Sequence, residues 1–256
     1  MKQLLALIQN EFLALLRTGK ITVLLIVFSI FGILNPALAK LTPWMLSLMS
    51  QSLADQGVTI GNIAVNALTA WTQYFKNLFM EYVLLLALFG GVFASEYQSG
   101  TLVNILTKGL PRWKVAVSKW LVVFVCWGVC SWLTFGITFG YSAYFWGGDV
   151  VLHLGLAACC AYLLGIWLFS LELAFASAFT SGMNALLCTG AVYALLFALG
   201  LLPSLAPWLP VRLNDAFSLL TGDLLPADFT RAILTTGVFS LVNLALCIAG
   251  FQRKQL

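Results

Sequence analysis

Long uncharged stretches separated by short groups of charged residues form the main pattern of this chain. Six of the stretches are long enough to cross the roughly 30 Å hydrocarbon core of a bilayer as helices, which rise about 1.5 Å per residue. We therefore predict six membrane-spanning helices, over residues 21–38, 78–94, 120–144, 154–180, 185–202 and 232–251. Near the far end of the first span, Asn35 and Pro36 should kink or terminate the helix.

The first twenty residues show a different pattern, that of an amphipathic helix. At 100° per residue, one face collects Leu4, Leu5, Ile8, Phe12, Leu15 and Leu16, and the other collects Lys2, Gln3, Gln9, Asn10 and Arg17. A helix of this kind lies flat on a membrane surface. We predict an interfacial helix over residues 1–20, which the polar residues distinguish from a cleavable signal peptide.

Two long connections, residues 39–77 and 203–231, are predicted to be extracytoplasmic loops. The first is too apolar for a plain solvated loop, and near its end Trp71, Tyr74 and Phe75 recur at helical spacing. We interpret this part as an amphipathic segment at the outer interface, serving either as an aromatic belt or as a contact for the substrate. The second connection is rich in proline and aspartate, which suits an extracytoplasmic cap.

Composition excludes a soluble domain. Hydrophobic residues make up 61% of the chain and charged residues 9%, whereas soluble domains have about 25% charged residues. The chain is therefore predicted to be one all-α membrane domain over residues 1–256. A net charge of +4 without a basic, aromatic-rich stripe argues against nucleic acid and in favour of contact with lipid headgroups. The six cysteines lie in apolar stretches without a C-x-x-C pair, so no metal site is expected.

The positions of lysine and arginine predict the orientation. One side of the predicted bundle holds nine of them, Lys2, Arg17, Lys20, Lys108, Arg112, Lys114, Lys119, Arg253 and Lys254. The other side holds four, Lys40, Lys76, Arg212 and Arg231. Because basic residues accumulate on the cytoplasmic side, we predict a multi-pass protein of the plasma membrane with both termini in the cytoplasm.

The segment between the second and third spans carries the most specific pattern. Gly100 breaks the incoming helix, and Leu102, Ile105 and Leu106 then form a small apolar face at i, i+3 and i+4. Gly109 can cap this short helix before Pro111 starts the next one. A short helix with an exposed apolar face is suited to docking in a groove of a cytoplasmic partner.

This segment resembles the one that joins the second and third spans of ABC type-2 permeases, the membrane subunits of bacterial ATP-driven exporters. Their pattern is E-Y-x-x-G-T-L-x-x-x-L-T-K-x-x-x-R with a later lysine, and the matching residues are Glu96, Tyr97, Gly100, Thr101, Leu102, Leu106, Thr107, Lys108, Arg112 and Lys119. The stretch 71–77 also resembles a segment that many such permeases carry before the second span.

The resemblance implies that residues 96–119 are a coupling segment that contacts the ATPase subunit. The residues assigned to that contact are Glu96, Gly100, Thr101, Leu102, Ile105, Leu106, Lys108 and Arg112. It also implies that the chain is the permease subunit of an exporter and forms the substrate pathway. The partners would be a cytoplasmic ATPase and a second permease, either another copy or a related chain.

The energy source must lie on another chain. The Gly19-Lys20 pair is followed by Ile21, where a phosphate-binding loop requires Ser or Thr. We therefore expect no enzyme activity and no cofactor on this chain, with ATP and Mg²⁺ bound by the partner ATPase. The alternative is a secondary transporter or channel-like protein without an ATPase, which should usually show internal repeats. We find no convincing repeat.

Glu172 is an ionisable residue well inside an apolar stretch, about 12 Å of helix from the inner end of the fourth span. Small residues on the same helix, Ala174, Ser177, Ala178 and Ser181, should bring a neighbouring helix close. Two interpretations of Glu172 remain open. It either has a role in a substrate path, to which Trp71, Tyr74 and Phe75 are also assigned, or in the seam between subunits, or it is a protonated carboxyl that is hydrogen-bonded to a neighbouring helix. The sequence does not indicate which substrate is carried.

Overall fold

The computed structural model describes residues 2–54, 65–93, 111–147 and 151–253. These ranges hold eight α-helices and no strand: α1 (Lys2–Arg17), α2 (Lys20–Ala54), α3 (Ala67–Phe89), α4 (Arg112–Trp146), α5 (Leu154–Ala178), α6 (Gly182–Leu199), α7 (Ser218–Thr221) and α8 (Pro226–Arg253). Two 3₁₀ helices, Ala206–Trp208 and Pro210–Phe217, precede α7.

Five helices in the described ranges are long and apolar enough to cross a membrane, namely Lys20–Met45 within α2, α4, α5, α6 and Pro226–Gln252 within α8. The predicted second span, 78–94, lies mostly in α3, which is not among them because polar residues such as Lys76 and Glu81 interrupt the apolar sequence of that helix. Its 23 residues still extend about 34 Å, and it contacts α2, α4 and α5. The prediction of an all-α polytopic membrane protein is confirmed, whereas the count of six spans stays a prediction.

The predicted outer loop 39–77 is helical over most of its described residues. The helix α2 continues through Pro36 and Pro43 to Ala54, so the expectation that Pro36 could terminate the first span was wrong. Pro36 has no N–H to donate to the Gly32 carbonyl, but the Thr138 hydroxyl of α4 donates to that carbonyl at 3.2 Å. Neighbouring helices commonly satisfy backbone groups freed by proline in this way.

The stretch that contains the three predicted aromatic residues is the start of α3 and not a separate interfacial piece. Asn66 caps this helix, since its side chain accepts a hydrogen bond from the Thr69 N–H at 3.1 Å. Trp71 and Tyr74 are each 1% exposed and pack against Phe135 of α4. The amphipathic pattern therefore correctly indicated a helix, but its aromatic face is buried by protein.

Polar side chains join α2, α3 and α4 inside the bundle. The Asn77 amide donates to Asn35 Oδ1 at 2.7 Å, and the Asn35 amide donates to the Thr138 hydroxyl at 3.1 Å. Asn35 and Thr138 are fully buried. Such contacts hold helices together in lipid, where apolar burial alone gives little preference for a neighbouring helix.

The helix α5 lies at the centre of the bundle and packs most extensively against α8. Ser177 and Gly250 of α8 lie in close contact. A Cβ added at Gly250 would be only 2.6 Å from the Ser177 hydroxyl. The small-residue stripe therefore does bring a neighbouring helix close at Ser177, although Ala178 is exposed. On another side, Trp127 of α4 is fully buried and donates through Nε1 to the Tyr162 carbonyl at 2.9 Å.

The predicted cap 203–231 is compact in the structure. The 3₁₀ helices and α7 bury Val211, Leu213, Leu219 and Leu220 and contact α5 and α8. Since α8 already begins at Pro226, the last part of the predicted loop belongs to the final helix.

Candidate functional site

Most of the predicted coupling residues, namely Glu96, Gly100, Thr101, Leu102, Ile105, Leu106 and Lys108, lie outside the described residues. Their contact with an ATPase stays a prediction. The structure does describe both points at which this segment joins the bundle. Phe93 follows α3, and Arg112 is the first residue of α4.

Arg112 fixes the start of α4 to the end of α8. Its guanidinium donates through Nη1 to the Phe251 carbonyl at 3.3 Å and to the Gln252 carbonyl at 3.0 Å. The last carbonyls of a helix lack intrahelical donors and carry partial negative charge, so a cation stabilises them. The Phe93 and Phe251 rings also pack at 5.4 Å between centroids. Phe93 and Arg112, which lie on either side of residues 94–110, therefore both contact the end of α8.

A second set of contacts joins α4 to α1. The Lys119 ammonium donates to Glu11 Oε1 at 2.7 Å, with the lysine side chain fully buried and the glutamate side chain 19% exposed. Lys114 donates to Gln3 Oε1 at 2.7 Å. Here α1 also buries Leu7 and Leu15. We call Phe93, Arg112, Phe251, Lys119 and Glu11 the anchor cluster.

The exposed residues of α1 agree with its amphipathic character. Leu5, Phe12 and Leu16 are 58%, 40% and 43% exposed. They lie beside the face that packs on the bundle, so this apolar flank is available to lipid. All residues of the predicted polar face are exposed, and one of them, Gln3, also accepts a hydrogen bond from Lys114 of α4 at 2.7 Å.

Removal of the Glu11 carboxylate should destabilise the α1 end of the bundle. In Glu11→Ala, the buried Lys119 ammonium loses its ion pair with Glu11, and breaking a buried pair costs about 3 kcal/mol or more. We expect a clearly lower thermal unfolding temperature in detergent, and partial recovery when Lys119→Met removes the charge as well. The control is Lys114→Ala, which breaks an exposed contact and should have little effect. Equal stability of Glu11→Ala and the original chain would refute the role of this pair.

Glu172 lies on α5 with 1% exposure, against the ends of α3 and α6. A Cβ added at Gly90 would collide with Glu172 Oε1, and one added at Gly182 would lie 2.8 Å from the Gly91 Cα. In the described part of the chain, neither Glu172 oxygen has a hydrogen-bond partner. Thr189 of the neighbouring α6 lies beside this carboxyl, and both interpretations of Glu172, a substrate-path residue and a hydrogen-bonded structural carboxyl, stay predictions.

The other predicted substrate-path residues lie far from Glu172. Along α3, Trp71 is 19 residues from Gly90, which corresponds to about 28 Å. Trp71 borders a cavity of about 220 Å³ near Trp146, and Phe75 packs on Phe217 of the cap at 5.9 Å between ring centroids. The structure thus separates Trp71, Tyr74 and Phe75 from Glu172, and any contact of these residues with a substrate stays a prediction.

A lateral groove lies between α3, α5 and α6. Its volume is about 300 Å³, and it is lined by Phe79, Tyr82, Val83, Leu86, Leu168, Leu186, Thr189, Gly190 and Tyr193. The helix α6 buries only Ala185 and Thr189. It therefore covers the groove without closing it.

Sequence analysis missed a second buried carboxyl, Glu81 of α3. This residue is fully buried, and neither of its oxygens has a hydrogen-bond partner in the described residues. It falls within the predicted second span, 78–94. A carboxylate inside an apolar stretch is the same signal that identified Glu172, and it was available here too.

Together, the long apolar helices, the polar contacts between them and the amphipathic first helix define an integral membrane protein of the all-α polytopic class. The family model described as "ABC-2 family transporter protein" matches residues 5–256. The chain therefore belongs to the ABC-2 transporter family, as the resemblance of the segment 96–119 indicated, and is a permease subunit of an ABC transporter. No curated protein is similar enough to the chain to count as a match.

Proposed function

We propose that this chain is the membrane subunit of an ATP-driven exporter, that it forms the substrate pathway, and that a separate cytoplasmic ATPase drives it through residues 96–119. The observation that carries this proposal is the anchor cluster. It holds Phe93, just before that segment, and Arg112, within it, against the end of α8, and it holds Lys119 against Glu11 of α1.

These contacts suit the transmission of a movement. A displacement of the segment would act directly on the end of α3 and the start of α4, because both are covalently joined to it. Since packed helices shift as rigid elements, α4 would carry α1 with it through the buried ion pair. A coupling segment needs attachments of this kind, whereas basic residues that serve only as topology anchors do not.

The partner chains follow from the same proposal. ATP and Mg²⁺ bind to the ATPase, because this sequence has no phosphate-binding loop. Two permease subunits, either two copies or this chain with a related one, would pair with two ATPase subunits and enclose the substrate between them. The excess of basic residues at the α1 end supports a cytoplasmic location for both termini.

This topology has a direct test. Cysteines introduced at Asp55 and Asp223 of a cysteine-free version should react with a membrane-impermeant thiol reagent added to sealed cells, because both positions lie on the predicted outer side. A cysteine at Lys108 should react only after the membrane is opened. Labelling at Lys108 in sealed cells would contradict the proposed orientation.

Ion- or proton-coupled transport without the ATPase is a second candidate activity of this permease, and the two buried carboxyls favour it. Ionisable residues inside membrane segments often belong to ion or proton pathways, and both Glu81 and Glu172 are buried without a hydrogen-bond partner in the described residues. Transport by this chain alone in vesicles with an imposed proton gradient would support this candidate.

Purification of the affinity-tagged chain from native membranes in mild detergent tests the proposal. The expected result is a complex that hydrolyses ATP and has the native mass of two permeases with two ATPase subunits. A permease monomer that copurifies with no ATPase, from membranes in which transport is active, would contradict it.

A further inference from the structure

The Glu172 carboxyl lies one helical turn beyond the residues that line one end of the lateral groove. Leu86 of α3, Leu168 of α5 and Leu186 of α6 all line the groove. One helical turn beyond them, about 5.4 Å along each helix, lie Gly90, Glu172 and Gly182 respectively. These last three residues are the ones that meet in the close contact described above. The carboxyl therefore lies directly beneath the end of the groove that is nearer to α1.

Thr189 connects the groove and the carboxyl, because it lines the groove and also lies beside Glu172. Its hydroxyl donates to the Ala185 carbonyl at 3.0 Å. The two Glu172 oxygens consequently keep their capacity to accept hydrogen bonds, since no group in the described residues donates to them in hydrogen-bonding geometry.

The remaining polar groups of the groove have partners. The Tyr82 hydroxyl donates to the Ala161 carbonyl at 2.8 Å, and the Tyr193 hydroxyl accepts from the Asn214 amide at 2.8 Å. The groove extends along α3 from Phe79 to Leu86, a rise of seven residues that corresponds to about 10 Å. It is thus an apolar groove, and the carboxyl just beyond one of its ends accepts no hydrogen bond of good geometry from the described residues.

We infer that this groove binds an amphiphilic amine, with the apolar chain between α3, α5 and α6 and the cationic group against Glu172. A buried carboxylate is unfavourable unless it is paired, and an ammonium group offers both charge and hydrogen-bond donors. The interpretation of this groove as a substrate site rests on the proposed function. Binding of the amine itself does not require the ATPase.

Charge complementarity favours this occupant over two others. A neutral lipid chain would fill the apolar part of the groove but would give the Glu172 carboxyl no charged partner. A helix of a second copy would exclude small molecules from the groove. Binding of the three occupants depends differently on ligand charge, on Glu172 and on the free space beside Gly190. A Cβ added at Gly190 would meet no atom within 4 Å.

The test is binding of radiolabelled dodecylamine to the purified chain in nanodiscs, with empty nanodiscs as background and dodecanol as the uncharged competitor. We expect saturable binding of dodecylamine that Glu172→Gln weakens by about tenfold or more, without a change in competition by dodecanol. Gly190→Leu places a side chain in the groove and should weaken both ligands. The matched controls are Glu81→Gln, a buried carboxyl away from the groove, and Gly237→Leu, which also has open space.

Equal dodecylamine binding by Glu172→Gln and the original chain would overturn the inference, and so would equal binding by Gly190→Leu. Absence of saturable dodecylamine binding would overturn the inference as well. Disulfide crosslinking between two copies through Val83→Cys would then assign the groove to a second chain. These failures leave the proposed function intact if an ATPase copurifies. If dodecylamine binds to the purified chain but no ATPase copurifies from native membranes, only the proposed function is contradicted.

Discussion

Gly182→Leu should abolish recovery of the folded chain, whereas Gly190→Leu on the same helix should not. A Cβ at Gly182 would lie 2.8 Å from both the Gly91 Cα and the Gly91 nitrogen. Backbone atoms cannot move aside as a flexible side chain can, so we expect a cost of about 3 kcal/mol or more. The comparison uses thermal unfolding and size-exclusion elution of fluorescent-protein fusions in detergent.

The matched control removes the effect of helix propensity. Both substitutions replace a helical glycine with leucine, which favours the helix in each case. Only the space around the new side chain differs, because Gly190 has no atom within 4 Å of an added Cβ. Similar elution and unfolding of the two variants would show that α3 and α6 do not approach at Gly91 and Gly182 as described.

Leu102→Asp should uncouple transport from ATP hydrolysis while the protein still inserts in the membrane. If Leu102 docks in an apolar groove of the ATPase, the variant buries an unpaired carboxylate there, at a cost of several kcal/mol. We expect loss of substrate-stimulated ATP hydrolysis in the reconstituted complex.

A suitable control is Asn104→Asp, which adds the same charge on the other side of the predicted short helix. It should retain substrate-stimulated hydrolysis, since no apolar contact is expected at that position. Unchanged stimulation in Leu102→Asp, with the complex intact, would refute the assignment of this segment to coupling.

The spans that were predicted well are those with uniformly apolar sequences and clear breaks. The fourth predicted span, 154–180, corresponds to Leu154–Ala178, and the fifth, 185–202, to Gly182–Leu199. Their ends coincide with the short turn 179–181 and with the proline-rich stretch after Leu202. Hydropathy decides such boundaries, because lipid leaves a helix as the only way to satisfy the backbone of an isolated span.

The first outer connection was predicted less well, for two physical reasons. The sequence predicts a kink or a helix end at Pro36, but α2 continues through it, because the Thr138 hydroxyl, 106 residues away in sequence from Gly32, supplies the missing hydrogen bond. The aromatic face of Trp71 and Tyr74 was assigned to the membrane interface, although it is buried against Phe135. An apolar face predicts burial but does not reveal whether lipid or protein covers it.

Only part of the candidate site could be found from the sequence. Glu172 was identifiable as a charge in an apolar stretch, and Glu81 could have been found in the same way. The groove could not, since it exists only where α3, α5 and α6 meet. Likewise, the contact of Arg112 with the Phe251 carbonyl joins residues 139 apart in sequence, and no local pattern predicts such a pair.

Site-directed crosslinking of the purified complex tests the central claim most directly. A photoreactive or thiol crosslinker attached at Leu102→Cys or Ile105→Cys should join the chain to the copurified ATPase, and the yield should change with nucleotide. The same reagent at Asp223→Cys, on the predicted outer side, should give no such product. Coupling through residues 96–119 would be contradicted if an active complex gave no crosslink from Leu102→Cys or Ile105→Cys but did give one from Asp223→Cys.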